Sequence, residues 1–472
     1  HVHIADPTAW LRPEHALSQT ARHKYSSVYF PEIMLPMLPT DVTNHKMSLS
    51  SKNTPLNVLT FSALVDSSSG KVSSYDVRRG KVGNIRILNY NQVNEMFLDR
   101  EDIGRHKVSD ATAQDDLHLL ASLASVINRR RVHIGRALNA VDAHSDLSIY
   151  PLPLPILADK TLDRPQFYTG FPEIRLRFAD HTNTERLGTF DQIPGGITSE
   201  TMVSEMMILA GRVAGSFGLD HNIPLPYRVQ PEPSDTELAI IDELKNPETG
   251  AMAMSKLISK DVFLPTGNSS IKPGIHYALG VRPMPQNDIN SDAFYRGGYV
   301  RVTSPLRRFA DLACHWQLKA KLSGENHPFN FETMSQLLVQ FDQMDNWVKQ
   351  IERASSRYWL WVYINRTLSK KQNYDFEGRS DYTTFFTPEE QALLEPIPAI
   401  QNIMDVRFNS ETLQSTVRIS LPQLGGLPVD CEWPNGKTPP RKDEIKRVKI
   451  NRAESAGLKR TCLLYTSDAA DD

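Results

Sequence analysis

Tyr299-Val-Arg-Val-Thr-Ser-Pro-Leu-Arg-Arg-Phe-Ala-Asp-Leu-Ala-Cys-His-Trp-Gln-Leu-Lys319 punctuates itself more clearly than any other part of the 472-residue chain. The β-branched run from Val300 to Thr303 favours a strand. Ser304 is a favoured helix cap and Pro305 a favoured first helical residue. The pattern therefore predicts strand, cap and helix, with Arg307 and Arg308 in the first turn. A helix N-terminus offers unpaired N–H groups and a positive dipole end, both suited to an anion. Two arginines there imply a phosphate against them; the plainer alternative is a surface helix with solvated arginines.

Outward from this stretch, the hydrophobic period switches between 2 and 3.6. Asn57 to Asp66 and Lys71 to Val77 alternate on either side of Ser67-Ser-Ser-Gly70, which predicts a hairpin. Asp110 to Arg131 is helical through Leu117, Leu120, Leu123 and Ile127. It ends in Arg129-Arg-Arg131, read as a dipole-favoured C-terminus rather than an RNA patch. Glu173 to Phe178 alternates an apolar face (Ile174, Leu176, Phe178) with Arg175 and Arg177. Thr201 to Phe217 carries Val203, Met206, Met207, Ala210, Val213 and Phe217 on a core-facing helix. Phe331 to Lys371 is a long helix whose Phe341, Trp347, Tyr358, Trp359 and Trp361 recur on a helical period. Core packing is expected of them rather than a stacking platform for bases. Gln372 to Asp381 reads as a linker. Ile403 to Phe408 and Ser415 to Leu421 read as strands before a Leu424-Gly-Gly426 turn.

Composition is that of an ordinary globular chain, 40% hydrophobic and 23% charged, long enough for two or three domains. A formal net charge of −2 excludes a global basic field but not a locally basic channel. Cys314, Cys431 and Cys462 have neither metal-ligand nor disulfide-framework spacing, which fits a reducing interior. No uninterrupted apolar run approaches the roughly 20 residues of a membrane span. His1 already lies inside a motif, so no targeting peptide is legible and the chain reads as beginning mid-domain. Cys462 to Asp472 resembles the translation of a sequencing adapter and is set aside as non-native.

Four ordered blocks carry a family resemblance: His3-Ile-Ala-Asp-Pro-Thr-Ala-Trp10, Tyr29-Phe-Pro-Glu-Ile-Met-Leu-Pro-Met-Leu-Pro39, Pro273-Gly-Ile-His-Tyr-Ala-Leu-Gly280 and Thr303-Ser-Pro-Leu-Arg-Arg-Phe-Ala-Asp311. Together they resemble the RNB family of RNase II-type exoribonucleases. Met202-Val-Ser-Glu-Met-Met-Ile-Leu-Ala-Gly211 and Asn222-Ile-Pro-Leu-Pro-Tyr-Arg228 are similar to its organellar branch, above all the fungal mitochondrial members. The resemblance implies an α/β (α+β) fold: an RNB domain over 1–375 with mixed sheet and packed helices around a narrow channel. A truncated OB-type RNA-binding barrel would follow over 376–461. It implies a processive 3′-to-5′ exoribonuclease releasing nucleoside 5′-monophosphates from single-stranded RNA. A mitochondrial location is expected, the cytoplasm otherwise, with an RNA helicase as partner class and no membrane.

The same resemblance assigns residues. Arg307 matches the catalytic arginine, Tyr29 the aromatic packed on the terminal nucleotide, and Tyr90 a nearby RNA contact. Ser304 and Arg308 join Arg307 at the phosphate. Asp6, Asp311, His315 and Glu352 are supporting. Asp311 and His315 follow Arg307 at i+4 and i+8, so Asp311 is expected to pair with Arg307. Leu306, Phe309, Leu312, Ala313 and Trp316 form the core stripe. Magnesium is the implied cofactor. Its aspartates would precede His1, so no metal ligand is assigned in this chain and the chain alone is expected to be inactive. Asp99/Glu101/Asp102, Asp115/Asp116 and Asp142/Asp146 read as ordinary charges. The chain departs from the family at Ser204-Glu205, where two glutamates are usual, and at Gly135 to Pro155, where a second base-clamping aromatic has no counterpart. Two rivals are weighed: a His1-x-His3 metal barrel, which lacks further ligands and βα alternation, and a catalytically dead RNA-binding scaffold of the same family.

Overall fold

The computed structural model describes residues 1–49, 55–97, 111–140, 146–150, 172–177, 197–247, 250–252, 257, 262, 264–283, 293–400, 406–409, 414–424, 427–433, 445–450, 453–455 and 461–464. The predicted hairpin forms the heart of the N-terminal sheet. β1 (Val2–Ala5) pairs antiparallel with β2 (Leu56–Val65), which pairs antiparallel with β3 (Val72–Val82). Gly70, at φ 66°, closes the turn in the left-handed region where side chains are disfavoured.

Six helices position the site: α1 (Ala16–Lys24), α2 (Tyr90–Phe97), α3 (Ala111–His133), α4 (Ser199–Asp220), α5 (Phe309–Ser323) and α6 (Phe331–Phe376). α4 and the sheet bury Leu59, Phe61, Val77, Leu209, Val213 and Phe217 in one core, which also takes Cys314 and Leu318 of α5. Of the core face predicted for α4, Val203 and Met206 are only partly buried, at its margin. By length and composition α4 could cross a bilayer, a possibility the search for uninterrupted apolar runs passed over; most of its apolar window is buried as core.

A second core joins α1, α5 and the first half of α6. The stripe predicted for α5 is there: Phe309, Leu312, Ala313 and Trp316 are buried, with Leu306 packed beside them. The second half of α6 supplies Leu360, Tyr363 and Ile364 to a third core, under the C-terminal sheet. Among the described residues that sheet has seven strands, six along one path, with Val406–Asn409 off it and paired to Gln414–Leu421; both lie near the predicted positions. Thr461–Leu464 pairs parallel with Leu427–Trp433 within it, so part of the segment set aside as non-native is placed in the sheet. Residues 465–472 lie outside the described residues, as do Asp99, Glu101, Asp102, Asp142 and Phe178.

One expectation fails in this fold. Trp347 and Tyr358 are 66% and 53% exposed, against 2% for Phe341, so the α6 aromatics are not uniformly core. The helix turns on its axis between two cores, and these two rings fall on the face that neither covers. The basic C-terminus expected of α3 is there, with Arg130 and Arg131 in its last turn, and Arg131 does more than end the helix. It is buried, with Nε 2.9 Å from Glu205 Oε2 and Nη1 2.8 Å from Leu279 O. A buried guanidinium requires such partners.

Candidate functional site

The loop Ser304–Arg308 is where distant segments meet. The sequence predicts a helix from Pro305; α5 instead begins at Phe309, with Arg308 as its cap in extended backbone at φ −136°, ψ 125°. The Ser304 carbonyl accepts from both Arg307 N (3.1 Å) and Arg308 N (3.0 Å), closing a turn ahead of the helix. Val300 makes only an isolated bridge to Tyr227, so the predicted strand is not regular. The reason is tertiary. Ser27 N donates to Arg307 O at 2.9 Å and Phe309 N to Tyr25 O at 2.7 Å, and Ser26 bridges Arg308 in antiparallel fashion. The loop spends its backbone groups on this partner segment rather than on a helical turn.

Tyr25 makes that pairing possible. It ends α1 at φ 64°, ψ −46°, a sparsely populated conformation for a side-chain-bearing residue. Its hydroxyl donates to Asp345 Oδ1 at 2.9 Å, and burial beside Asp345 pushes its pKa up. The reversal sends Ser26 and Ser27 along the loop and on to Tyr29, in the short Val28–Tyr29 strand paired with Met34–Leu35. Tyr29 is 44% exposed, and its backbone N–H donates to Glu352 Oε1 at 2.9 Å. Ser355 and Trp359 hold Glu32 of the same hairpin. Arg307, Tyr29 and Glu352 therefore share one neighbourhood.

The two arginines divide. Arg308, not Arg307, pairs with Asp311: Nε to Oδ1 is 2.9 Å and Nη2 to Oδ2 is 2.7 Å. Asp311 is fully buried and also accepts Ser304 N at 2.9 Å. Burial lowers the Arg308 pKa, but Asp311 outweighs it and the net shift is upward. Arg307 is exposed, and its guanidinium has no partner among the described residues. His315 is buried with Nε2 donating to Val302 O at 2.8 Å, so it fixes the approach to the loop rather than Arg307. Asp6 is buried too, accepting from Lys319 Nζ at 2.8 Å and capping Thr8 N at 3.1 Å. Burial would raise its pKa, but His315 and Lys319 hold it well below the usual carboxylate range. It ties β1 to α5. Tyr90 is exposed at the start of α2, where its carbonyl accepts from Ser199 Oγ at 3.2 Å; no described contact joins it to the Arg307 loop.

Sequence reasoning missed a basic cluster behind the loop. Arg301 Nη1 lies 2.8 Å from Asp345 Oδ2, and Arg228 Nη1 lies 2.7 Å from Asp342 Oδ1. Burial, then Arg301, Arg228 and Arg353, holds the Lys349 pKa below its ordinary value against the pull of Asp345. His276 falls to about 4, through burial and then Arg228 and Arg301. The signal was available: Val300 and Val302 are both core, so period-2 alternation turns Arg301 away from it. Arg228, Arg301, Lys349 and Arg353 outnumber Asp342 and Asp345 in the cluster, which leaves it net positive.

A divalent cation does not fit the described residues. No group of three or more His, Cys, Asp or Glu among them could hold a metal. Asp311, Asp6 and Asp345 are committed to Arg308, Lys319 and Arg301, and Glu352 to the Tyr29 N–H.

The RNB domain family matches residues 1–324. An uncharacterized ribonuclease of Synechocystis sp. is 27% identical over 369 residues, 78% of this chain and 45% of the relative. The mitochondrial exoribonuclease II of Schizosaccharomyces pombe is 24% identical over 410 residues, 84% of this chain and 40% of the relative. The chain thus spans less than half the length of these relatives. An active-site mutant of the Dss1 exoribonuclease from Candida glabrata has a TM-score of 0.67 at 20% identity, covering 98% of this chain and 50% of that one. Yeast Ssd1, a pseudonuclease, has a TM-score of 0.50 at 16% identity, covering 96% and 46%. At these identities the structural likeness is one of fold.

Proposed function

The chain belongs to the RNB domain family, and on that premise we propose that it carries the RNA-positioning part of a 3′-to-5′ exoribonuclease acting on single-stranded RNA. The observation that carries this reading is the contrast at the loop. Arg308 is satisfied inward by Asp311, while Arg307 stands exposed on the same turn without a partner among the described residues, its backbone tied to the segment that presents Tyr29. Arg307 would neutralise the scissile phosphate. Donors of that kind contribute on the order of 10²–10³ in turnover. Tyr29 would stack on the terminal base, an interaction that tolerates any sequence, as stepwise degradation requires. Glu352 would hold the Tyr29 hairpin in place. Ser304 and Arg308 would shape the loop, and Tyr90 would touch the strand further along. Residues 376–461 are proposed as a partial OB-type RNA-binding unit.

Release of nucleoside 5′-monophosphates, a narrow channel that excludes duplex, and a mitochondrial location belong to the same proposal. The described residues give no magnesium site, so the reading concerns binding and charge neutralisation rather than activation of water. The test is Arg307→Ala in the complete protein, assayed on a 5′-labelled single-stranded RNA. Turnover should fall by two orders of magnitude or more with RNA affinity nearly unchanged. Weakened binding with intact turnover would move Arg307 out of the reacting site. RNA binding without hydrolysis in the unmutated complete protein would favour the pseudonuclease reading instead.

A further inference from the structure

A cavity of about 60 Å³ lies between the tip of the β2–β3 hairpin, the end of α3, the middle of α4 and the loop around Gly280. It shares no lining residue with the Ser304–Arg308 loop. Four arginines (Arg130, Arg131, Arg212 and Arg282) line it, and no acidic residue does among the described residues. The rest of the lining is apolar side chains and glycine.

The arginines are held in place. Arg131 is fixed by Glu205 behind it, with Nη2 2.5 Å from Oε1. Arg212 lies over the Phe294 ring, its guanidinium carbon 4.6 Å from the centroid. Arg282 gives Nε to Gly135 O at 3.0 Å and pairs through Nη1 with Glu232. Its Nη2 is shielded from solvent and finds no acceptor among the described residues. Burial, and then Arg136, lowers the Arg282 pKa below the ordinary arginine value. Two walls cannot shift easily: a Cβ on Gly135 would stand 2.1 Å from Gly280 O, so these backbones already touch.

Four arginines gathered on a mostly apolar wall carry a desolvation penalty that Glu205 and Glu232 meet only in part, and the buried Arg282 Nη2, without an acceptor among the described residues, adds to it. An anion removes both costs, and arginine suits tetrahedral oxyanions because its donors are planar and paired. Sixty cubic ångströms accommodates on the order of four water molecules, room for one phosphate group and none for a nucleoside. We propose that this cavity is a phosphate-binding site distinct from the Arg307 loop, with Arg282 and Arg212 as the direct donors. The phosphate comes either from free inorganic phosphate or from an RNA backbone group seated from outside. The site does not depend on the nuclease reading, because it is tested by binding and not by turnover.

The experiment is calorimetric titration of this chain with sodium phosphate, and separately with a short single-stranded oligouridylate, each at fixed ionic strength set by sodium chloride. Saturable phosphate binding that weakens at least tenfold in Arg282→Gln, partly recovers in Arg282→Lys and persists in Arg357→Gln on exposed α6 supports a free-phosphate site. If only the RNA affinity falls in Arg282→Gln, the phosphate is a backbone group. Should neither titrant respond to Arg282→Gln while circular dichroism shows the variant folded, the proposal is overturned. If Arg282→Gln does not fold, Arg212→Lys decides in the same way, since it keeps the charge but loses the fork.

Discussion

Asp311→Asn is the substitution that most sharply separates the roles of the two arginines. Asp311 has no solvent exposure and accepts from Arg308 Nε, Arg308 Nη2 and Ser304 N at 2.9, 2.7 and 2.9 Å. Asparagine keeps the shape but removes the charge, and its amide turns a donor toward either Arg308 or the Ser304 N–H. Breaking a buried pair costs about 3–5 kcal/mol; because the Arg308 side chain is 22% exposed, water recovers part of this, leaving about 2–4 kcal/mol. For a domain of this size, with an unfolding entropy of about 0.8 kcal/mol/K, that lowers the melting temperature by about 3–5 °C. Arg307→Ala, by contrast, removes an exposed side chain without a described partner and should leave the melting temperature unchanged. Differential scanning calorimetry of both variants, with RNA affinity measured alongside, tests the assignment. If Asp311→Asn melts with the parent, or if Arg307→Ala is the destabilised variant, the division of labour between the arginines is wrong.

Three further outcomes are expected. Gly211→Ala gains about 1 kcal/mol of helix propensity. However, its Cβ would meet Tyr299 Cε2 at 2.3 Å and Val300 O at 2.6 Å, so thermal melting should show a net loss of stability. The His276 pKa falls from 6.5 to about 4, so between those values the unfolded chain holds a proton that the folded chain does not. Its contribution is complete above pH 6.5 and is lost as the pH falls toward 4, by up to about 3 kcal/mol. Denaturant titrations at pH 7 and 5 should show a smaller acid loss in His276→Asn, and parallel losses would remove this imidazole from the account. Tyr29→Ala should weaken single-stranded RNA binding by about 1–3 kcal/mol. In the complete protein it should also change the length of the end product, and an unchanged ladder on a sequencing gel would exclude Tyr29 from the terminal base.

What was legible in the sequence was what local periodicity controls. The hairpin about Ser67–Gly70, helices α3, α4 and α6 and the Phe309–Trp316 core stripe sit where the apolar spacing puts them, because each needs only its own side chains to define a face. For the candidate site residues, the sequence did not carry their pairings. Which arginine meets Asp311 depends on where α5 starts, and that is set by Tyr25–Ser27, some 280 positions upstream, through backbone hydrogen bonds that leave no side-chain signature. The basic end of α3 was legible, with Arg130 and Arg131 in its last turn, but the Arg131 partner was not, because Glu205 lies 74 residues away. Along α6, Trp347 is six positions beyond Phe341, about 240° around the helix, so it lies away from the faces that both cores cover and is exposed.

The placement of the helix start also explains why two adjacent arginines are useful. Had α5 begun at Pro305, both would lie in its first turn, beside a positive dipole end and on neighbouring faces, competing for the same anion and the same carboxylate. Extended backbone at Arg308 sends consecutive side chains to opposite sides. Arg308 then reaches inward to a carboxylate that also holds the Ser304 N–H, and this makes the turn rigid. Arg307 is carried on that turn facing outward, with nothing of its own to satisfy it. On the proposed reading, a cation without a partner among the described residues, backbone-paired to the segment of an exposed tyrosine whose N–H is held by Glu352, is what a passing phosphate and base would complete. It follows that Arg308→Ala should impair the site through the turn's stability and Arg307→Ala through its charge. Arg307→Lys should restore charge but not the paired donors, and so recover only part of the lost turnover.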